Sequence, residues 1–138
     1  MKGINAQFLC LSNRLILCVF TLLVLLSSPA YAKNWYQGGT LHEANAIEWQ
    51  NAKQDNKLAT SADFIAGIYS KGFLVPEISE KIKSVDDFKP YAIELTNQLN
   101  AAFERDPDPV QNKQIFSNQS VKSTAMMLMI MMKWVENE

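Results

Sequence analysis

Histidine occurs once, at His42, and cysteine only at Cys10 and Cys18. A lone histidine cannot supply both imidazoles of an HExxH zinc site, and Ala46 stands where the second would fall. There is no G-x-S-x-G elbow to expose a serine nucleophile. Basic residues are scattered, which excludes the cluster that tracks a nucleic-acid backbone. β-branched residues are thin and never alternate, so little in the chain favours strands. There is also no internal repeat and no low-complexity tract, and the reading is of one domain.

What is present begins with an export leader. Lys2 and Arg14 precede an unbroken apolar run, Leu15 to Leu26, followed by Ser27, Ser28, Pro29 and then Ala30-Tyr31-Ala32. This is the charged, apolar and small-residue order of a cleavable signal peptide over residues 1–32, leaving Lys33 first in a mature domain of residues 33–138. The apolar run is short of the roughly 20 residues that span a membrane, so no membrane association is expected after cleavage. Cleavage removes both cysteines, and with them any disulfide, thiolate ligand or cysteine nucleophile. Neither cysteine directly follows a cleavage site, which argues against lipidation. The expected location is the bacterial periplasm or beyond. Without Lys2 and Arg14 the chain carries 11 Lys and Arg against 14 Asp and Glu, a formal charge of −3.

Along residues 33–138 the spacing predicts an all-α fold, a small single-domain bundle of four to five short helices around a buried C-terminal helix. Thr40 and Glu43 read as a capping box opening a helix to about Lys53. Asp55-Asn56 reads as a break, with Thr60 and Asp63 capping a second helix that Gly72 terminates. A short helix over Ile78 to Lys83 follows, and Ser84 caps a further start. Pro90 suits a first turn, from which Tyr91, Ala92, Leu95, Leu99, Ala102 and Phe103 trace one apolar stripe. Arg105 to Pro109 reads as a loop, and a last helix runs from Ser117–Ser120 to about Val135. Its stretch Ala125 to Met132 is apolar at every position, which requires burial in the core or against a partner.

Five methionines crowd that last helix: Met126, Met127, Met129, Met131 and Met132. Thioethers can hold Cu(I), but in a continuous apolar helix they are expected to fill gaps in the core. The carboxylate pairs Glu43/Glu48, Asp86/Asp87 and Asp106/Asp108 have the spacing of caps and solvated faces. No catalytic, cofactor or metal residues are therefore assigned, and no cofactor is expected. The candidate partner-binding residues are Trp35, Tyr36, His42 and Trp49: large aromatics near the new N-terminus and the one histidine beside them.

The stretch Thr60-Ser61-Ala62-Asp63-Phe64-Ile65-Ala66 resembles the Thr-Cys-x-Asp-Phe-Leu segment of the small periplasmic HdeA-type acid-stress chaperones. The order of a following helix, a polar loop and a last helix is similar too, and small helical immunity proteins of type VI secretion share this look. Ser61 stands where the chaperone family has a disulfide cysteine. The resemblance implies a helical, non-enzymatic protein that binds a client, loosening in acid as carboxylates protonate and charge repulsion grows. The alternative it implies is an immunity protein neutralising a secreted toxin; an enzyme or a methionine-rich copper carrier ranks below both. The expected partner is thus another protein, and a homodimer is compatible with the sequence.

Overall fold

The computed structural model describes residues 33–135; the expected leader, 1–32, lies outside them. The chain is all-α. Among the described residues there are six α-helices: α1 Ala46–Asn51, α2 Gln54–Ser70, α3 Pro76–Ser79, α4 Lys89–Ala102, α5 Pro109–Phe116 and α6 Val121–Met131. A single 3-10 turn, Val85–Phe88, leads into α4.

The core forms where α2 meets α4, because each presents apolar side chains at helical spacing. Ala59, Ala62, Ile65 and Ile68 of α2 are buried with Ala92, Leu95 and Leu99 of α4. Phe103, one step beyond α4, is buried as the stripe predicts, whereas Ala102 is exposed. Pro90 sits in the first turn of α4, where its missing amide costs nothing. Thr60, Ser61 and Thr96 are the polar residues inside this contact. The Ser61 and Thr96 hydroxyls lie 2.9 Å apart, and Thr96 Oγ1 is also 2.7 Å from the Ala92 carbonyl. Each hydroxyl has one proton and the carbonyl only accepts, so Thr96 donates to Ala92 and Ser61 donates to Thr96. Among the described residues no buried side-chain polar atom lacks a partner.

Three local expectations are corrected. The first capping box is Asn45 with Glu48: the Glu48 amide donates to Asn45 Oδ1 at 3.0 Å and the Asn45 amide to Glu48 Oε2 at 2.8 Å. Thr40 belongs to an extended lead segment instead, clamped by Asn56: its amide donates to Asn56 Oδ1 at 2.9 Å, and Asn56 Nδ2 donates to Thr40 Oγ1 at 2.8 Å. Asp55-Asn56 is therefore no break; α2 runs through it, because Asn56 directs its amide outward to hold another segment. The stretch between the polar loop and the last helix, to which the spacing assigned no helix, is helical. Asp108 accepts from the Val110 and Gln111 amides and Pro109 opens α5, a helix too weakly patterned to read from sequence.

The last helix is corrected in place. Rather than standing at the centre, α6 packs one face on α4 and α2 and presents the other outward. Its N-terminus is tied to that of α1, because the two N-cap residues, Asn45 and Ser120, form an isolated antiparallel bridge. Ala46 N donates to Gln119 O at 2.9 Å and Val121 N to Ala44 O at 3.0 Å.

Two helices end in the same way. After α2, Gly72 at φ +74° sends its amide to Tyr69 O, and Phe73 sends its amide to Ile68 O. After α6, Lys133 N donates to Ile130 O and Trp134 N to Met129 O, with Lys133 at φ +58°. These are Schellman ends, but the second places a side chain in the left-handed region, at a cost of roughly 1–2 kcal/mol. Lys133→Gly is expected to stabilise the domain by about 1 kcal/mol, read as a higher urea midpoint with an unchanged slope.

Candidate protein-docking face

A straight α-helix advances about 100° per residue, and that rule divides α6 cleanly. Val121, Ala125, Leu128 and Met129 fall on one arc and are buried. Met126, Met127, Ile130 and Met131 fall on the opposite arc and are exposed by 38, 52, 42 and 68 %. The expectation that these methionines fill the core holds for Met129, which is 1 % exposed, and fails for the three on the outer arc. The sequence showed an apolar helix with no wet side. The structure leaves its second side uncovered among the described residues.

This face continues into a groove of about 160 Å³ between α6 and α2, lined by Met126, Met129, Phe64, Gly67 and Ile68. Asp63, Lys71 and Lys122 form its charged rim. A side chain at Gly67 would meet nothing within 4 Å, so this wall is open. Lys122 Nζ is 2.9 Å from Glu43 Oε1, an exposed pair that ties the start of α6 to the lead segment.

Of the residues singled out from sequence, three gather near this groove and one does not. His42 Nε2 lies 3.0 Å from Asp63 Oδ2, and its ring meets Phe64 edge-on at 5.5 Å. Its ring thus rests against α2, with the side chain still partly open to solvent. Trp35 and Tyr36 fold back half-buried and stack edge-on with centroids 5.5 Å apart. Trp35 Nε1 donates to Asp86 Oδ1 at 2.9 Å, and Lys89 Nζ sits 5.6 Å from its ring centroid. The two aromatics line an apolar pocket of about 230 Å³ with Ala62, Ala66, Val85 and Phe88, and Asp63 borders both this pocket and the groove. Trp49 is the exception. It is wholly buried, its Nε1 donating to Asn100 Oδ1 at 3.0 Å, and it cannot face a partner. Its aromatic mass was the only signal for a surface role, and the core of a small domain uses the same signal.

Asp87 caps the turn whose Asp86 holds Trp35. Asp87 accepts from the Lys83 amide at 2.9 Å, the Ser84 amide at 2.7 Å and the Ser84 hydroxyl at 2.9 Å. These bonds, with Lys83 nearby, hold its carboxyl below the usual range. A depressed carboxyl contributes stability that is complete above its unfolded-state value of about 4 and is lost as pH falls through the folded value. The stability difference between the parent protein and Asp87→Asn is therefore expected to be constant near neutrality and to shrink below about pH 4. Thermal melts at descending pH check this, and a pH-independent difference would count against it.

A second cleft, about 450 Å³, opens between α1 and α5 beside Arg105, Asp106, Pro107 and Pro109. Its loop is fixed by a reciprocal amide pair: Asn112 Nδ2 donates to Gln50 Oε1 at 2.8 Å, and Gln50 Nε2 donates to Asn112 Oδ1 at 3.0 Å. Arg105 Nη2 donates to Asn51 Oδ1 at 2.7 Å. Burial, with a further push from Arg105, lowers the Lys57 ammonium from its usual value. Among the described residues no group of three or more His, Cys, Asp or Glu side chains converges to hold a metal ion. No helix among them is long and apolar enough to cross a membrane.

No family model, curated protein or solved structure matches this chain.

Proposed function

We propose that the chain is an exported, non-enzymatic protein-binding module of the chaperone type, holding apolar segments of a client protein on the outer arc of α6. The observation that carries this is the exposure of Met126, Met127, Ile130 and Met131 side by side on a helix whose other arc is core. Soluble domains rarely leave such contiguous apolar surface uncovered. Thioethers adapt their shape, so a methionine-rich face suits clients of varied sequence. The leader at residues 1–32 sends the domain to the periplasm, and acid release of the Asp87 cap is one local step toward the loosening that the chaperone resemblance implies.

A second reading, an immunity protein bound to one toxin, is favoured by the α1–α5 cleft. There the Gln50–Asn112 pair fixes the loop shape, which suits a single complementary partner.

The double variant Met127→Asp/Met131→Asp tests the first reading. Both residues are on the surface, so the fold is expected to persist by circular dichroism. Suppression of aggregation of an unfolded apolar client, read by light scattering, is expected to need about tenfold more of the variant, equivalent to about 1.4 kcal/mol of lost binding. Equal suppression by the folded variant would refute docking on α6.

A further inference from the structure

We propose that Met126, Met127 and Met131 form a sulfoxidation site through which a peroxide-class oxidant switches the docking face off. This rests on the docking reading above, and it adds a chemistry to that surface. A thioether attacks the terminal oxygen of a hydroperoxide with a sulfur lone pair. The S–O bond forms as the O–O bond breaks, sulfur is oxidised by two electrons, and the departing hydroxide or alkoxide takes up a proton to leave as water or alcohol. The product sulfoxide is polar, so an apolar contact surface becomes a hydrated one.

The placement of the methionines makes the reaction selective. Met131, Met127 and Met126 are 68, 52 and 38 % exposed, whereas Met129 on the same helix is 1 % exposed and Met132 is half-buried. Oxidising Met129 would force a polar sulfoxide into the core. Oxidising the outer three changes only the face turned to solvent, so the modification separates docking from stability. The chain has no thiol outside the leader segment to intercept a peroxide first, since Cys10 and Cys18 are its only cysteines. The outer thioethers are therefore the most accessible soft nucleophiles on the described surface.

The test is graded hydrogen peroxide on the purified protein, with peptide mass spectrometry reading each methionine, circular dichroism reading the fold and the client assay reading docking. The expected order is Met131 and Met127, then Met126, with Met129 slower by at least about tenfold. Client suppression should fall with the oxidation of the outer three while helix content holds. It should return after treatment with methionine sulfoxide reductases. The triple variant Met126→Leu/Met127→Leu/Met131→Leu, which keeps an apolar face without thioethers, should show the same client suppression before and after peroxide, whatever its starting level. Met129 oxidising in step with the others, or helix content falling with them, would show damage to the fold and overturn the proposal. Client suppression that survives oxidation of the outer three would overturn the switch alone. A parent protein that holds no client before any peroxide is added would overturn the docking reading itself, and the switch with it.

Discussion

Trp49→Ala is expected to lower the stability of the domain by about 3–5 kcal/mol, the largest single effect anticipated in this chain. Trp49 is where three helices meet. Its ring, wholly buried, packs edge-on to Phe103 beyond α4 at 6.5 Å, and Phe103 packs edge-on to Phe116 of α5 at 6.3 Å. Its Nε1–H shares Asn100 Oδ1 with Lys57 Nζ, at 3.0 and 3.3 Å. Removing the indole leaves a cavity that neighbours on separate helices cannot close together, and it also takes away the main donor to Asn100. The whole stability of a domain this size is commonly only about 5–15 kcal/mol, so the variant should unfold at a much lower urea midpoint. Trp49→Phe refills most of the volume and should fall in between. Urea titration followed by far-ultraviolet circular dichroism measures both, and a loss under about 1 kcal/mol for the alanine variant would contradict the packing described. Client binding by folded Trp49→Phe should match the parent, because this side chain never reaches the surface.

Gly39→Val should cost about 3 kcal/mol, at the upper end of overpacking effects. A Cβ at Gly39 would stand 2.7 Å from the Thr60 backbone nitrogen, 2.8 Å from Thr60 Cα and 2.6 Å from Asp63 Oδ2. Two of those atoms are helix backbone, which cannot swing aside as a side chain can. The lead segment would have to lift from α2, weakening the Asn56 clamp on Thr40 and the His42–Asp63 contact together. Gly67→Ala is the control: it lies on an exposed part of α2 with open space around it, and it should stabilise the helix by up to about 1 kcal/mol. Thermal melts of the two variants should therefore shift in opposite directions. A neutral Gly39→Val would mean that the lead segment is not held this closely. Hydrogen exchange at the Thr40 and Leu41 amides, which donate to Asn56 and Thr60, gives a second reading of the same detachment.

Where a feature depends on neighbours in the chain, it was legible from residue order. The all-α class, the Ser84 cap, the Gly72 terminator, Pro90 in a first turn and the Ala92–Leu95–Leu99–Phe103 stripe all follow from three- and four-residue spacing and cap chemistry. Where a polar residue had two uses, the sequence could not choose. Asn56 read as a helix breaker and serves as a clamp sixteen positions back, while Thr60 read as a cap and lies buried inside a helix. α5 was missed because eight residues with little apolar pattern gain their stability from packing rather than from periodicity.

Residue order determined that Ala125 to Met132 is apolar at eight positions in succession, which leaves that helix no polar face. Only the tertiary structure decided which half is covered from within. α4 and α2 cover one arc of α6, and the other arc stays exposed among the described residues. Burial is a property of what lies opposite a side chain, and the side chain's own identity does not carry that information. For the same reason Trp49 and Met131, both apolar and both on short helices, end at opposite extremes of exposure.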